Sequence, residues 1–296
     1  MCGLKFVVEP WEAKEMASEL GITIHQLLPV LVKRAQTLAR PPISDYRVGA
    51  VGIGSSGRIF FGVNLEFPGL PLHYSVHAEQ FLVTNLALQS ESSLTHLAVS
   101  AAPCGHCRQF LQEIRCVSDI QVLVTSDESE SSFRPLGSFL PKRFGPDDLL
   151  EVDVPLLLEK RHNKLSFVSD SVLSNGCPVP SSFADLQEEA LSAANKSHAP
   201  YSRCPSGMAL LDSNGTIYRG SYAESAAYNP SLGPVQAALV DYVARGGAGY
   251  DQIVAAVLVE REDAIIKQES TARLLLQSIS PQCKVETFYS SPSSNS

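Results

Sequence analysis

The sequence has little positive charge to spare: 23 Lys and Arg stand against 31 Asp and Glu in 296 residues, a formal net charge of −8. Non-specific affinity for nucleic acids comes mainly from Lys and Arg neutralising phosphates, so this balance argues against a nucleic-acid partner. No apolar run approaches the ~18 residues that a membrane helix needs, and no membrane association is expected. The first twenty residues carry Glu9, Glu12, Glu15 and Glu19, the wrong chemistry for a signal peptide or an Arg-rich transit peptide. Residue 2 is Cys2, not the glycine that myristoylation requires. The expected location is therefore cytoplasmic. A disulfide framework is also lacking, because seven cysteines are an odd number spread over a long chain. Clustered cysteines in a reducing compartment point instead to metal or catalysis.

Charged residues are only 18% of the chain, while apolar residues are an ordinary 44%, enough for a sizeable core. At ~150 residues per domain the length suggests two domains. Helical patterning is expected over 11–20 and from Thr23, an N-cap, to residue 39, where Pro41-Pro42 closes it. Strands are expected over 47–54 and 58–63, joined by the turn Gly54-Ser55-Ser56-Gly57. A helix over 75–89, a strand over 93–100, a helix over 104–114 and a strand over 119–125 follow, then a loop-rich stretch to 153. Residues 161–181 are polar and Pro/Ser/Asn-bearing and read as a linker.

After the linker the order of elements starts again: helix over 182–196, strands over 207–211 and 216–221, helix over 234–244, strand over 253–260, helix over 270–278 and strand over 284–288. A shift of 158 positions places Pro42, Ser44, Gly49, Ser55, Gly57, Ile59, Gly62 and Glu66 on Pro200, Ser202, Gly207, Ser213, Gly215, Ile217, Gly220 and Glu224 without gaps. Element order and register agree together, which argues for an internal duplication. The expected division is an N-terminal helical segment over 1–40, a first domain over 41–160, the linker, a second domain over 182–289 and a disordered tail over 290–296.

The chemistry concentrates in the first copy. His77-Ala78-Glu79 precedes Pro103-Cys104-Gly105-His106-Cys107. Two cysteines three apart at a helix start can face one ion, and the helix dipole lowers their thiol pKa. With His77 they give three ligands and leave a fourth position open, the pattern of a catalytic zinc. Glu79 lies close to the ion without ligating it and can move protons. H-x-E alone is a weak signal, and P-C-x-x-C is far rarer. A structural zinc knuckle, with His73, His106 or Cys116 as fourth ligand, or a redox pair are the bland alternatives.

The pattern H-x-E…P-C-x-x-C marks zinc deaminases. Residues 46–111 resemble a cytidine deaminase, and nearly the whole chain resembles the dimeric class with two core domains. The resemblance implies a three-layer α/β/α fold used twice, with the second copy degenerate. It implies one Zn²⁺ per chain on His77, Cys104 and Cys107, and Glu79 as proton shuttle. Asn64 and Glu66 would hold the sugar 3′-hydroxyl of a pyrimidine nucleoside. Tyr46 falls where the family has a Phe beside the pyrimidine. Phe144, in Leu140-Pro141-Lys142-Arg143-Phe144-Gly145-Pro146, would close the neighbouring subunit's pocket in a homodimer. The activity implied is hydrolytic deamination of cytidine and 2′-deoxycytidine in pyrimidine nucleoside salvage or catabolism.

The second half loses this chemistry. Tyr222 stands at the position of Asn64, and with one residue deleted Pro234-Val235-Gln236 falls on His77-Ala78-Glu79. Neither proline nor glutamine can replace the His and Glu functions. The second domain is expected to be catalytically silent. A deaminase of cytosine in nucleotides or polynucleotides, a non-enzymatic zinc-stabilised assembly protein and a dead paralogue are the rival readings.

Overall fold

The computed structural model describes residues 6–126, 132–168 and 181–293. They fall into two compact units. One holds the residues up to Glu159 together with Ser225–Pro230, and the other holds Lys160–Glu224 together with the residues from Ser231 onward. Among the described residues no helix is long and apolar enough to cross a membrane.

The first unit runs β1 (Val7–Val8), α1 (Pro10–Leu20), α2 (Ile24–Thr37), β2 (Gly49–Gly54), β3 (Ile59–Val63), α3 (Ala78–Leu88), β4 (Leu94–Val99), α4 (Gly105–Phe110), β5 (Gln121–Val124) and β6 (Arg134–Pro135). Helix α2 begins where Thr23 caps it. The Thr23 hydroxyl accepts from the Gln26 amide at 3.3 Å, and Gln26 Oε1 accepts from the Thr23 amide at 2.9 Å. This reciprocal box satisfies two donors that the helix leaves open.

The sheet has the order β1-β3-β2-β4-β5-β6, with β4 and β5 parallel and the other pairs antiparallel. Every residue of β2 and β3 is buried, as expected of strands covered on both faces. Gly49 pairs with Val63 and Ala50 with Gly62, so Gly49 and Gly62 face opposite sides of the sheet. A Cβ on Gly49 would lie 2.7 Å from the Gln36 backbone nitrogen of α2, and one on Gly62 would lie 2.1 Å from the Ala78 carbonyl oxygen of α3. Helices α2 and α3 therefore press on opposite faces, giving the three-layer α/β/α order.

The second unit runs β7 (Leu165–Phe167), α5 (Ser181–Lys196), β8 (Ser206–Asp212), β9 (Ile217–Ser221), α6 (Pro234–Ala244), β10 (Ile253–Arg261), α7 (Glu269–Ile279) and β11 (Lys284–Pro292), in a sheet ordered β7-β11-β10-β8-β9. Its pairing repeats that of the first under the same shift of 158: Gly207 pairs with Ser221 and Met208 with Gly220. Gly207 and Gly220 likewise allow close approach of α5 and α6, where a Cβ would meet Ala194 N and Ala238 N at 2.1 Å. Leu186, Ala190 and Ala194 of α5 pack on Ala209, Val257, Val259 and Phe288 to form the core.

Four features differ from the sequence reading. The stretch before α1 contains strand β1, whose Val7 and Val8 pair with Phe60 and Ile59 of β3. Part of the expected linker is strand β7, with Leu165 only 5% exposed in the core of the second unit; residues 169–180 of that linker lie outside the described residues. The expected tail starts inside β11, because Ser290, Ser291 and Pro292 pair with Phe167, Ser166 and Leu165. Backbone pairing with a neighbour outweighs a polar composition there; residues 294–296 lie outside the described residues. The copies also align differently at their second helix. The bridge Leu65–Val76 corresponds to Ala223–Leu232. The gap is thus two residues, and Gly233-Pro234-Val235-Gln236 matches His77-Ala78-Glu79-Gln80.

Candidate active site

The site is assembled from two helix starts in the first unit. His77 is the extended residue before α3, at φ −81° and ψ 156°, and Glu79 is the second residue of that helix. Cys104 occupies the same position before α4, and Cys107 lies one turn in. Arg108 pins the entry to α4: Nε donates to the Pro103 carbonyl at 2.6 Å and Nη1 to the Phe139 carbonyl at 2.9 Å.

His77 Nδ1 lies 3.4 Å from Cys104 Sγ and 3.3 Å from Cys107 Sγ. Zn–S near 2.3 Å and Zn–N near 2.0 Å at a tetrahedral angle require N···S of about 3.5 Å, so the donor set fits zinc in type and spacing. The three ligand atoms lie within 4.8 Å of one another, the one such group among the described residues. His73, His106 and Cys116 are not part of it, so the group offers three donor atoms. His106 instead stacks on the His77 ring, with centroids 5.1 Å apart and an interplanar angle of 22°.

Hydrogen bonds from the Cys107 thiol and from His77 hold the Cys104 thiol down to about 3. Its bond to Cys104, together with burial, pushes the Cys107 thiol up. A dication between them reverses the second effect, because a coordinating thiol loses its proton. Glu79 is 4% exposed, and burial raises its carboxyl above the usual range. Its Oε2 lies 3.2 Å from Cys107 Sγ. The arrangement places a buried carboxyl beside the three donor atoms and outside their group.

Asn64 and Glu66 follow β3 and brace the loop before β2. Asn64 Oδ1 accepts from the Val48 amide and its Nδ2 donates to the Tyr46 carbonyl, both at 2.9 Å. Glu66 Oε2 accepts from the Ile43 and Ser44 amides at 2.9 Å, and Oε1 accepts from the Ser44 hydroxyl at 2.5 Å. Burial alone would raise the Glu66 carboxyl; these donors, led by the Ser44 hydroxyl, outweigh it and lower its pKa. Tyr46 and Phe144 stand apart from the buried group, 61% and 46% exposed.

The second unit keeps the brace without the metal chemistry. Glu224 accepts from the Tyr201 and Ser202 amides at 2.9 and 3.1 Å and from the Ser202 hydroxyl. Gly233 stands in place of His77 and Val235 in place of Glu79, and neither can ligate or carry a proton.

Two family models match this chain, both described as the cytidine and deoxycytidylate deaminase zinc-binding region, over residues 23–124 and 136–273. Cytidine deaminase 1 of Arabidopsis thaliana is 60% identical, over 96% of this chain and 97% of its own. The chain belongs to the cytidine deaminase family. Within that family, cytidine deaminase 6 of A. thaliana is 50% identical over 97% of this chain and 98% of its own. The A. thaliana protein named probable inactive cytidine deaminase 4 is 42% identical over 96% and 95%. A solved cytidine deaminase of Burkholderia pseudomallei, 26% identical, covers 40% of this chain and 98% of its own with a TM-score of 0.37.

Beside the His77/Cys104/Cys107 group lie residues that sequence patterning passes over. Gln80, three residues after His77, accepts from the His77 amide at 3.3 Å through Oε1. An N-cap followed three residues later by Gln is a capping signal that could have flagged it. Arg108 and Glu113 carry no such signal, because the Phe139 carbonyl that Arg108 also reaches and the Ala226 amide that donates to Glu113 are distant in the chain.

Proposed function

We propose that this protein is a zinc-dependent cytidine deaminase, converting cytidine and 2′-deoxycytidine with water to uridine and 2′-deoxyuridine with release of ammonia. The observation that carries this reading is the buried Glu79 carboxyl set against the His77/Cys104/Cys107 group. His77, Cys104 and Cys107 would hold one zinc ion per chain, which when bound would supply acidification of water and stabilisation of charge at C4. Glu79 takes a proton from water as the water oxygen bonds to C4 and delivers it to N3; it then takes the proton of the new C4 hydroxyl and passes it to the amino nitrogen as the C4–N4 bond breaks, leaving the C4 carbonyl and ammonia.

In this reading Asn64 and Glu66 recognise the sugar 3′-hydroxyl. Glu66 Oε1 receives one hydrogen bond and retains a lone pair for a second donor. The carboxylate repels a nearby phosphate, which favours nucleoside over nucleotide. The Tyr46 ring lies against the pyrimidine, and Phe144 closes the pocket of the neighbouring subunit in a cytoplasmic homodimer; the exposure of both rings supports roles completed by substrate or by a partner copy. The reaction serves pyrimidine nucleoside salvage or catabolism.

The family models also name deoxycytidylate, so the test includes nucleotides. Loss of absorbance is followed with cytidine, deoxycytidine, CMP, dCMP and a single-stranded oligonucleotide. Turnover of the two nucleosides alone supports the proposal. Faster turnover of CMP, dCMP or the oligonucleotide would assign the protein to the rival substrate class.

A further inference from the structure

Within the first unit, two buried polar side chains close to the metal ligands reach one short segment of chain. Gln80 is 1% exposed, and its Nε2 donates to the Pro230 carbonyl at 3.0 Å. Glu113 is fully buried six residues beyond Cys107, and its Oε1 accepts from the Ala226 amide at 2.8 Å. Ala226 and Pro230 lie near the two ends of Ser225–Pro230, the six residues that cluster with the first unit although the chain on either side belongs to the second.

Gln80 bonds a residue of the metal group directly, and Glu113 connects to Cys107 along the chain. Gln80 uses its other end, Oε1, on the backbone amide of His77. Glu113 ends the turn Leu111–Glu113 that extends α4, and its carbonyl accepts from the Leu157 amide at 2.8 Å. One segment is thereby tied to the helix start that carries His77 and Glu79 and to the helix that carries Cys107. Buried polar groups of this kind are costly unless partnered, and these are partnered with backbone that ordinary side-chain substitution cannot move.

We propose that Ser225–Pro230 is a clamp for the metal centre, with Gln80 and Glu113 as positioning residues that hold the two ligand-bearing helices in register. The inference rests on the zinc site proposed above. The clamp lies within the first unit, although the chain on either side of it belongs to the second. Outer partners of metal ligands are worth about 10- to 100-fold in metal affinity or activity when removed.

The test measures chelator-driven zinc release from the full-length holoprotein, with kcat and KM for cytidine. Gln80→Met and Glu113→Leu should each release zinc about 10-fold faster and lower kcat about 10-fold, with KM nearly unchanged. Glu113→Gln keeps an acceptor for the Ala226 amide and should restore most of both. Wild-type release rates and kcat in folded Gln80→Met and Glu113→Leu would overturn the proposal. A second measurement needs no variant: coupling is reciprocal, so zinc must also protect the clamp. Zinc removal should increase deuterium uptake in the 225–230 peptide and leave β10 unchanged. Unchanged uptake at 225–230 would overturn the clamp even where wild-type zinc binding and turnover uphold the site. A wild-type protein that binds no zinc would instead refute the site itself.

Discussion

Glu79 and Cys107 meet at 3.2 Å, carboxyl Oε2 to thiol Sγ, with both residues buried. That relationship separates proton transfer from metal binding and makes them independently testable. Glu79→Gln keeps the shape and removes the proton carrier. It should retain zinc while kcat falls by about 10²- to 10⁴-fold. Zinc content and turnover on one sample check this, and near-wild-type turnover would remove Glu79 from its role.

The ligands should behave differently from Glu79. Cys104→Ser and His77→Ala should each lose zinc and activity together, since three protein ligands leave no spare donor. Cys116→Ser, outside the group of three, should keep both. Metal analysis of purified variants checks the distinction.

Glu66 and Glu224 allow loop bracing to be measured apart from substrate recognition, because both accept the same set of backbone and serine donors. Glu66→Gln and Glu224→Gln should each lower unfolding free energy by about 1–3 kcal/mol. Only Glu66→Gln should also raise KM for cytidine. Urea melts and steady-state kinetics on the pair check this; equal KM values would confine Glu66 to the brace.

Glu91 should make stability pH-dependent. It is 2% exposed and accepts from Arg58 Nη2 at 2.6 Å, from the Ser55 hydroxyl at 2.7 Å and from the Ser56 amide at 2.8 Å. Burial would raise its carboxyl, but the Ser56 and Ser55 hydroxyls, the Ser56 amide and Arg58 outweigh it and lower the pKa from 4.5. A folded pKa below the unfolded one stabilises at pH above the unfolded value, and the gain is lost as pH falls through the folded value. Glu91→Gln should therefore cost about 2 kcal/mol at pH 7 and progressively less below pH 4.5. Melts of both proteins across that range check the convergence.

Much of this architecture is legible because it is local. The turn Gly54-Ser55-Ser56-Gly57, the Thr23 cap and the helix at Pro234–Ala244 are written in short stretches of sequence. The metal group is legible because both halves of its motif sit at helix starts. The two-residue gap between the copies is not, since it falls in irregular chain where only the bridges Leu65–Val76 and Ala223–Leu232 fix the alignment. Strands β1 and β7 are too short to show a period and depend on partners far away in sequence. The contacts of Gln80 with Pro230 and Glu113 with Ala226 are invisible for the same reason: they join residues more than a hundred positions apart.

A single catalytic zinc centre in the first copy, served by Glu79 and without a counterpart in the second, is open to a direct measurement. Zinc per chain and cytidine turnover, measured on the same wild-type sample and again after chelation and zinc restoration, test it most directly. The account predicts about one zinc per chain, with turnover that is lost on chelation and recovered with zinc. Two zinc ions per chain, or a full complement of zinc with no cytidine turnover, would contradict it.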